Sequence, residues 1–140
     1  MTAIRYVPFA GRLLIGLPFA MSGLSKLAAI GPTIEAIRTV GLPFPPLALA
    51  VSVTVEVGGG LLLIAGFKAR TVAAVLALFS LVTAATFHSN FADQNQLIHF
   101  LKNLMMAGGL LQIVAFGAGA ISFDNRKRRS AHGLEPAEAG

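Results

Sequence analysis

The chain has 140 residues, 55% of them hydrophobic and 12% charged, with a formal net charge of +5. That is too little polar surface to surround a soluble core of this size, so the composition describes one small membrane domain. Cysteine is absent, which excludes thiol redox chemistry, a structural disulfide and any Cys-ligated metal or iron–sulfur centre; electron transfer would need a borrowed cofactor.

Four apolar runs, 6–30, 47–67, 71–87 and 97–116, are each near the ~20 residues that cross a hydrocarbon core as a helix. The first follows Arg5 and contains Ala20-Met21-Ser22, which resembles a signal-peptide cleavage site. Its length, and the stripe it carries, favour a retained helix. In that stripe Arg12, Gly16, Phe19, Gly23 and Lys26 follow steps of four and three residues, so both cations and two glycines share one face.

Gly31-Pro32 is expected to break this helix. Over 33–40, Ile34, Ile37 and Val40 are spaced for one apolar face, with Glu35 and Arg38 elsewhere. This predicts a short interfacial helix, either a lid near Lys26 and His99 or a covering element with no binding role. The Pro-rich stretch 41–46 then stops any helix and biases the residue before each proline towards extended geometry.

The second run carries Ser52, Glu56 and Gly60 at four-residue steps, with Gly58 and Gly59 beside them. Glycines here are read as packing residues, because small side chains let membrane helices approach closely. A three-residue connection, 68–70, makes runs two and three antiparallel neighbours. The third run places Ala77, Ser80, Ala84, Phe87 and His88 on one side, and the fourth does so with His99, Lys102, Asn103, Met106 and Gly109.

Arg5, Lys68, Arg70 and the cluster at 126–129 all fall on one side of a four-pass path, which predicts cytoplasmic N- and C-termini. Topology and anionic lipid account for this basic charge, so no nucleic-acid partner is expected. Residues 1–123 are read as the four-helix transmembrane domain and 124–140 as a basic, mobile tail.

A charge at mid-membrane costs roughly 2.5–3.5 kcal/mol, so Arg12, Glu56 and Lys102 are the residues most in need of explanation. At 1.5 Å per residue from the basic ends, Arg12 lies at about 9 Å, Glu56 at about 16 Å and Lys102 at about 21 Å. On the same count His88 and His99 lie at about 25 Å and Lys26 at about 30 Å. Glu56, the sole acidic residue within the runs, is therefore expected between Arg12 and Lys102 as counter-ions.

One account makes this a structural ion pair or triad. The other notes that one carboxylate serving two or three cations leaves surplus positive charge, suited to an anionic head group or quinone carbonyls. His88 and His99, at matching depth, suit hydrogen bonding or proton relay better than haem or metal ligation, because two histidines make an incomplete ligand set. No phosphate loop, nucleophile motif or paired carboxylate supports hydrolysis.

Arg12 through Phe19 (RLLIGLPF), Gly23 and Lys26, Glu56 followed by Gly58-Gly59-Gly60, Phe87-His88, and Lys102-Asn103-Leu104 leading to Gly108-Gly109-Leu110-Leu111 together resemble the DoxX family of four-helix membrane proteins. The resemblance runs from Arg12 to Leu111 and leaves the basic tail uncovered. It implies an inner-membrane protein of oxidoreductase type, since a namesake relative is a subunit of a thiosulfate:quinone oxidoreductase. Ser22 departs from the pattern: many relatives carry histidine there, so no redox or ligand role of that position carries over.

The sequence thus reads as an all-α integral membrane four-helix bundle with a short interfacial helix between helices one and two. Its polar interior is expected to bind a quinone-like or small anionic molecule beside membrane lipid, with a partner oxidoreductase subunit or a second copy. Glu56 is the candidate base or charge relay and Lys102 its catalytic partner. Arg12, Lys26, His88, His99 and Asn103 are the candidate ligand-binding groups, and no metal site is expected. The rival reading is a non-enzymatic binding, transport or assembly protein with structural charges.

Overall fold

The structure, a computed structural model, describes residues 3–132. Four helices are long and apolar enough to cross a membrane: Ala3–Ala28, Pro45–Ala65, Ala69–Phe87 and Gln94–Phe116. No strand occurs among the described residues, and the chain is an all-α integral membrane bundle.

After a 3₁₀ turn at Ala3–Arg5, α1 spans Val7–Ala28. Pro8 lies in its first turn, where a missing amide costs nothing, whereas Pro18 inside the helix leaves one carbonyl without its usual donor. The chain breaks at Ala29 (φ −134°, ψ 53°), ahead of the expected Gly31-Pro32, and α2 begins at once, Ile30–Thr39. Pro32 is tolerated because it sits in the first turn of α2, where amides have no intrahelical acceptor. Ile37 is buried and packs α2 towards the next helix, while Val40 is exposed and outside the helix, contrary to the spacing argument. Glu35 and Arg38 form a solvent-facing ion pair at 3.4 Å.

Phe44, expected to be extended before Pro45, is left-handed (φ 50°, ψ 63°). This points its carbonyl into the new helix. Because Pro45 and Pro46 have no amides, Leu47 and Ala48 are the first donors to reach that oxygen, both at 3.0 Å. The prolines therefore start the second membrane helix, which runs as α3 (Pro45–Val53), a π-helical turn (Thr54–Gly58) and α4 (Gly59–Ala65).

Gly66 ends α4 in the left-handed conformation (φ 70°), with Gly66 N–H donating to Leu63 O and Phe67 N–H to Leu62 O, a Schellman arrangement. Next come α5 (Ala69–Phe87) and α6 (Gln94–Phe116), the latter capped by Asp93, whose side chain accepts from Asn95 N–H at 2.8 Å. Helix α6 packs mainly on α5 and barely touches α1. A last helix, α7 (Phe123–His132), occupies the start of the segment read as a mobile tail; the remainder of that segment, 133–140, lies outside the described residues.

The core is small and built from Phe19, Leu63, Ala73, Leu76, Ala77, Ala107 and Leu110. Leu14, Leu78 and Met105 are over 60% exposed, a surface that lipid covers. Glycine controls how closely the helices approach. A Cβ on Gly60 would lie 2.5 Å from Gly16 O and 2.9 Å from Ala20 N, and one on Gly59 would lie 2.9 Å from Leu76. Adjacent glycines thus fit α4 against α1 on one side and α5 on the other, the packing role expected for them.

Candidate functional site

Two cations share one face of α1 and are held in different ways. Arg12, 1% exposed, does not reach Glu56. Its guanidinium donates to the carbonyls of Leu63 (3.0 Å) and Ile64 (2.6 Å) at the C-terminus of α4, and to Ile121 O in the segment after α6. Helix C-termini carry partial negative charge and unpaired carbonyls, so a buried cation is at home there. The Phe9 ring lies 5.6 Å from the guanidinium carbon and Nε alone has no partner.

Glu56, also buried, takes Lys26 as its ion-pair partner instead of the expected Arg12 and Lys102. Lys26 Nζ donates to both carboxylate oxygens, at 2.8 and 2.7 Å, and to Ser22 Oγ at 3.0 Å. Ser22 Oγ donates to Glu56 at 3.0 Å and Ser52 Oγ does so at 3.3 Å. The Lys26 side chain retains 27% exposure against 6% for Glu56.

The direction of side chains explains why counting depth along the axes misassigned this pair. Side chains on an α-helix lean towards its N-terminus. Contacts of Gly16 with Gly60 and Ile64, and of Gly23 with Glu56 and Val57, show that α1 and the second membrane helix are antiparallel. Lys26 therefore leans back towards Ser22 while Glu56 leans towards Ser52, and the two side chains approach each other. Arg12 leans the other way, to the end of α4. The π-helical turn centred on Glu56 is the one irregularity in that helix, and such turns recur at functional sites.

Lys102 is exposed and has no hydrogen-bond or ion-pair partner among the described residues. Of the stripe expected on α6, Asn103 is buried, and the inward face is completed by Ala107 and Leu110, about 100° round the helix from Lys102. Asn103 donates to His99 O at 3.1 Å within its own helix. His99 is exposed and stacks on half-buried His88, with centroids 5.0 Å apart and planes 24° from parallel; His88 Nδ1 is 3.2 Å from Gln96 Oε1. Stacked rings present faces, not converging lone pairs, to one another. No group of three or more metal-ligating side chains occurs among the described residues.

The sequence reading missed Asp124. Its oxygens accept from Lys68 N–H at 2.7 Å and Ala69 N–H at 2.8 Å, and its own N–H donates to Gly66 O at 3.0 Å. It caps α5 from 55 residues away, because Lys68 at the N-cap position has no oxygen to offer. The only sequence signal was a lone acid opening a basic run.

Residues 7–89, more than half of the chain, match the DoxX family. The inner membrane protein YqjF of Escherichia coli (strain K12) is 38% identical over 113 residues, covering 81% of this chain and 85% of the relative. The chain belongs to the DoxX family. A second relative from the same bacterium, the inner membrane protein YphA, is 30% identical and covers 90% of this chain and all of its own length. No solved structure matches. The DoxX match contains Arg12, Lys26 and Glu56, and so both cation sites of α1, but stops short of His99, Lys102 and Asn103.

Proposed function

We propose that this DoxX protein is an inner-membrane component of a quinone-linked redox system, binding a quinone-like or small anionic head group between α1 and α6 in the half of the bundle away from the basic end. The observation that carries this reading is Lys26, a paired cation whose side chain stays partly exposed, together with the exposed ammonium of Lys102, which has no partner among the described residues. Gly109 abuts Ile15, where a Cβ would lie 3.2 Å from Cδ1. Seven residues further from the basic end, about 10 Å along each helix, Ser22 and Lys102 reach a common level. The next turn brings Lys26 and His99 to similar levels. Since Glu56 neutralises Lys26, the net charge along this line is positive, which favours an anion or a carbonyl oxygen.

In this reading Lys102 and His99 donate hydrogen bonds to the ligand, and Lys26 is the movable donor. Glu56 holds Lys26 and receives its proton if the pair discharges. Arg12 serves the fold, Asn103 orients α6, and α2 covers the open end. The basic end, bearing Arg5, Lys68, Arg70 and the 126–129 cluster, faces the cytoplasm with both termini. Two relatives named as inner membrane proteins support the location.

The closed network of Lys26, Glu56, Ser22 and Ser52 favours a second reading, in which the charges only fix helix packing and the protein acts in assembly. Mass spectrometry of lipid extracts from the purified chain separates the two. A co-purified quinone or anionic amphiphile that is lost in Lys102→Met and in Glu56→Gln, both still folded, supports binding. Extracts that match membrane background in parent and variants alike leave assembly as the function.

A further inference from the structure

A cavity of about 440 Å³ opens at the basic end, with neither Lys26 nor Glu56 in its lining. Its walls come from four stretches of chain: Arg5 in the N-terminal turn, Phe9 in α1, Ile64 at the end of α4, and Ile121, Phe123 and Arg126 after α6. We propose that it binds the phosphate-bearing head group of an anionic phospholipid, with the two exposed guanidiniums on the phosphate and the apolar wall against the glycerol and first acyl carbons.

Charge and chemistry converge on that ligand. Neither the Arg5 nor the Arg126 side chain has a carboxylate partner among the described residues. Asp124, the acid of this end among the described residues, has both oxygens committed to the amides of Lys68 and Ala69. The carbonyls of Ile64 and Ile121, whose residues line the cavity, are held by Arg12, so a third guanidinium lies behind its wall. Planar guanidiniums match phosphate oxygens in pairs, and cations without carboxylate partners favour a phosphate whose charge is not already offset by a cation of its own head group. Phe9, Ile64, Ile121 and Phe123 add an apolar side that a free inorganic ion would leave unused. The cavity also sits where the membrane helices end, at the depth of lipid head groups.

The test titrates the full chain in a nonionic detergent with short-chain phosphatidylglycerol, the matched phosphatidylcholine, and inorganic phosphate. Retention is read by native mass spectrometry and by the shift of the melting transition. Phosphatidylglycerol is expected to be retained in preference to both controls, and Arg5→Gln/Arg126→Gln to weaken it at least about tenfold. Arg128→Gln/Arg129→Gln, an equal loss of charge on α7 away from the cavity, should retain the lipid. Ala65→Phe, which narrows the cavity without changing charge, should weaken it. Equal losses in the two double variants would replace a site with diffuse attraction and overturn the proposal. Inorganic phosphate binding as well as the lipid, or phosphatidylcholine doing so, would overturn the assignment to an anionic lipid.

Discussion

Arg12 and Lys26 stand on one face of one helix, yet the bundle accommodates them by opposite means. Arg12 is sealed among main-chain carbonyls at a helix end, with no carboxylate in ion-pair contact. Lys26 is paired with a carboxylate and one hydroxyl, that of Ser22, and keeps an exposed side. Carbonyls hold a guanidinium by several donors at once, whereas a lysine–glutamate pair cancels one charge with another. The first arrangement ties three stretches of chain together, and the second leaves an ammonium that is partly exposed.

The largest effect expected from breaking this contrast is at Arg12. Arg12→Met removes the guanidinium that ties the carbonyls of Leu63, Ile64 and Ile121 together, and with them α1, α4 and the segment before α7, so a loss of about 4 kcal/mol, or failure to assemble, should appear in detergent unfolding. Arg12→Lys should not restore it, because one ammonium cannot span the same oxygens. Gly60→Ala comes next: the added carbon meets the backbone of α1, and a loss of about 1–3 kcal/mol should show in the same assay.

Smaller effects sharpen the comparison. Asp124→Ala removes a helix cap and should cost about 1 kcal/mol, with faster amide exchange at Lys68 and Ala69. Lys102→Met should change stability by less than about 0.5 kcal/mol, since the ammonium has no partner to lose.

The sequence made the four membrane helices legible because apolar runs near 20 residues long have few alternatives. The stripe Arg12, Gly16, Phe19, Gly23 and Lys26 also emerged as the inward side of α1, with Lys26 at its half-open end. What failed was the pairing. Axial depth put Glu56 nearest Arg12 and Lys102 in height, but antiparallel helices lean their side chains in opposite senses and brought in Lys26. For α6, the polar residues His99, Lys102 and Asn103 looked like one inward stripe, whereas packing on α5 selected Asn103, Ala107 and Leu110. The π-helical turn at Glu56 and the long-range cap by Asp124 depend on contacts between distant segments, and no local pattern announces either.

The central claim, that Glu56 is coupled to Lys26 rather than to Lys102, is tested most directly by two double-mutant cycles in one unfolding assay. One cycle combines Glu56→Gln with Lys26→Met, the other Glu56→Gln with Lys102→Met. The predicted result is a coupling of about 1–3 kcal/mol for Lys26 and less than about 0.5 kcal/mol for Lys102. A coupling to Lys102 as large as that to Lys26, or none to Lys26, would contradict the account.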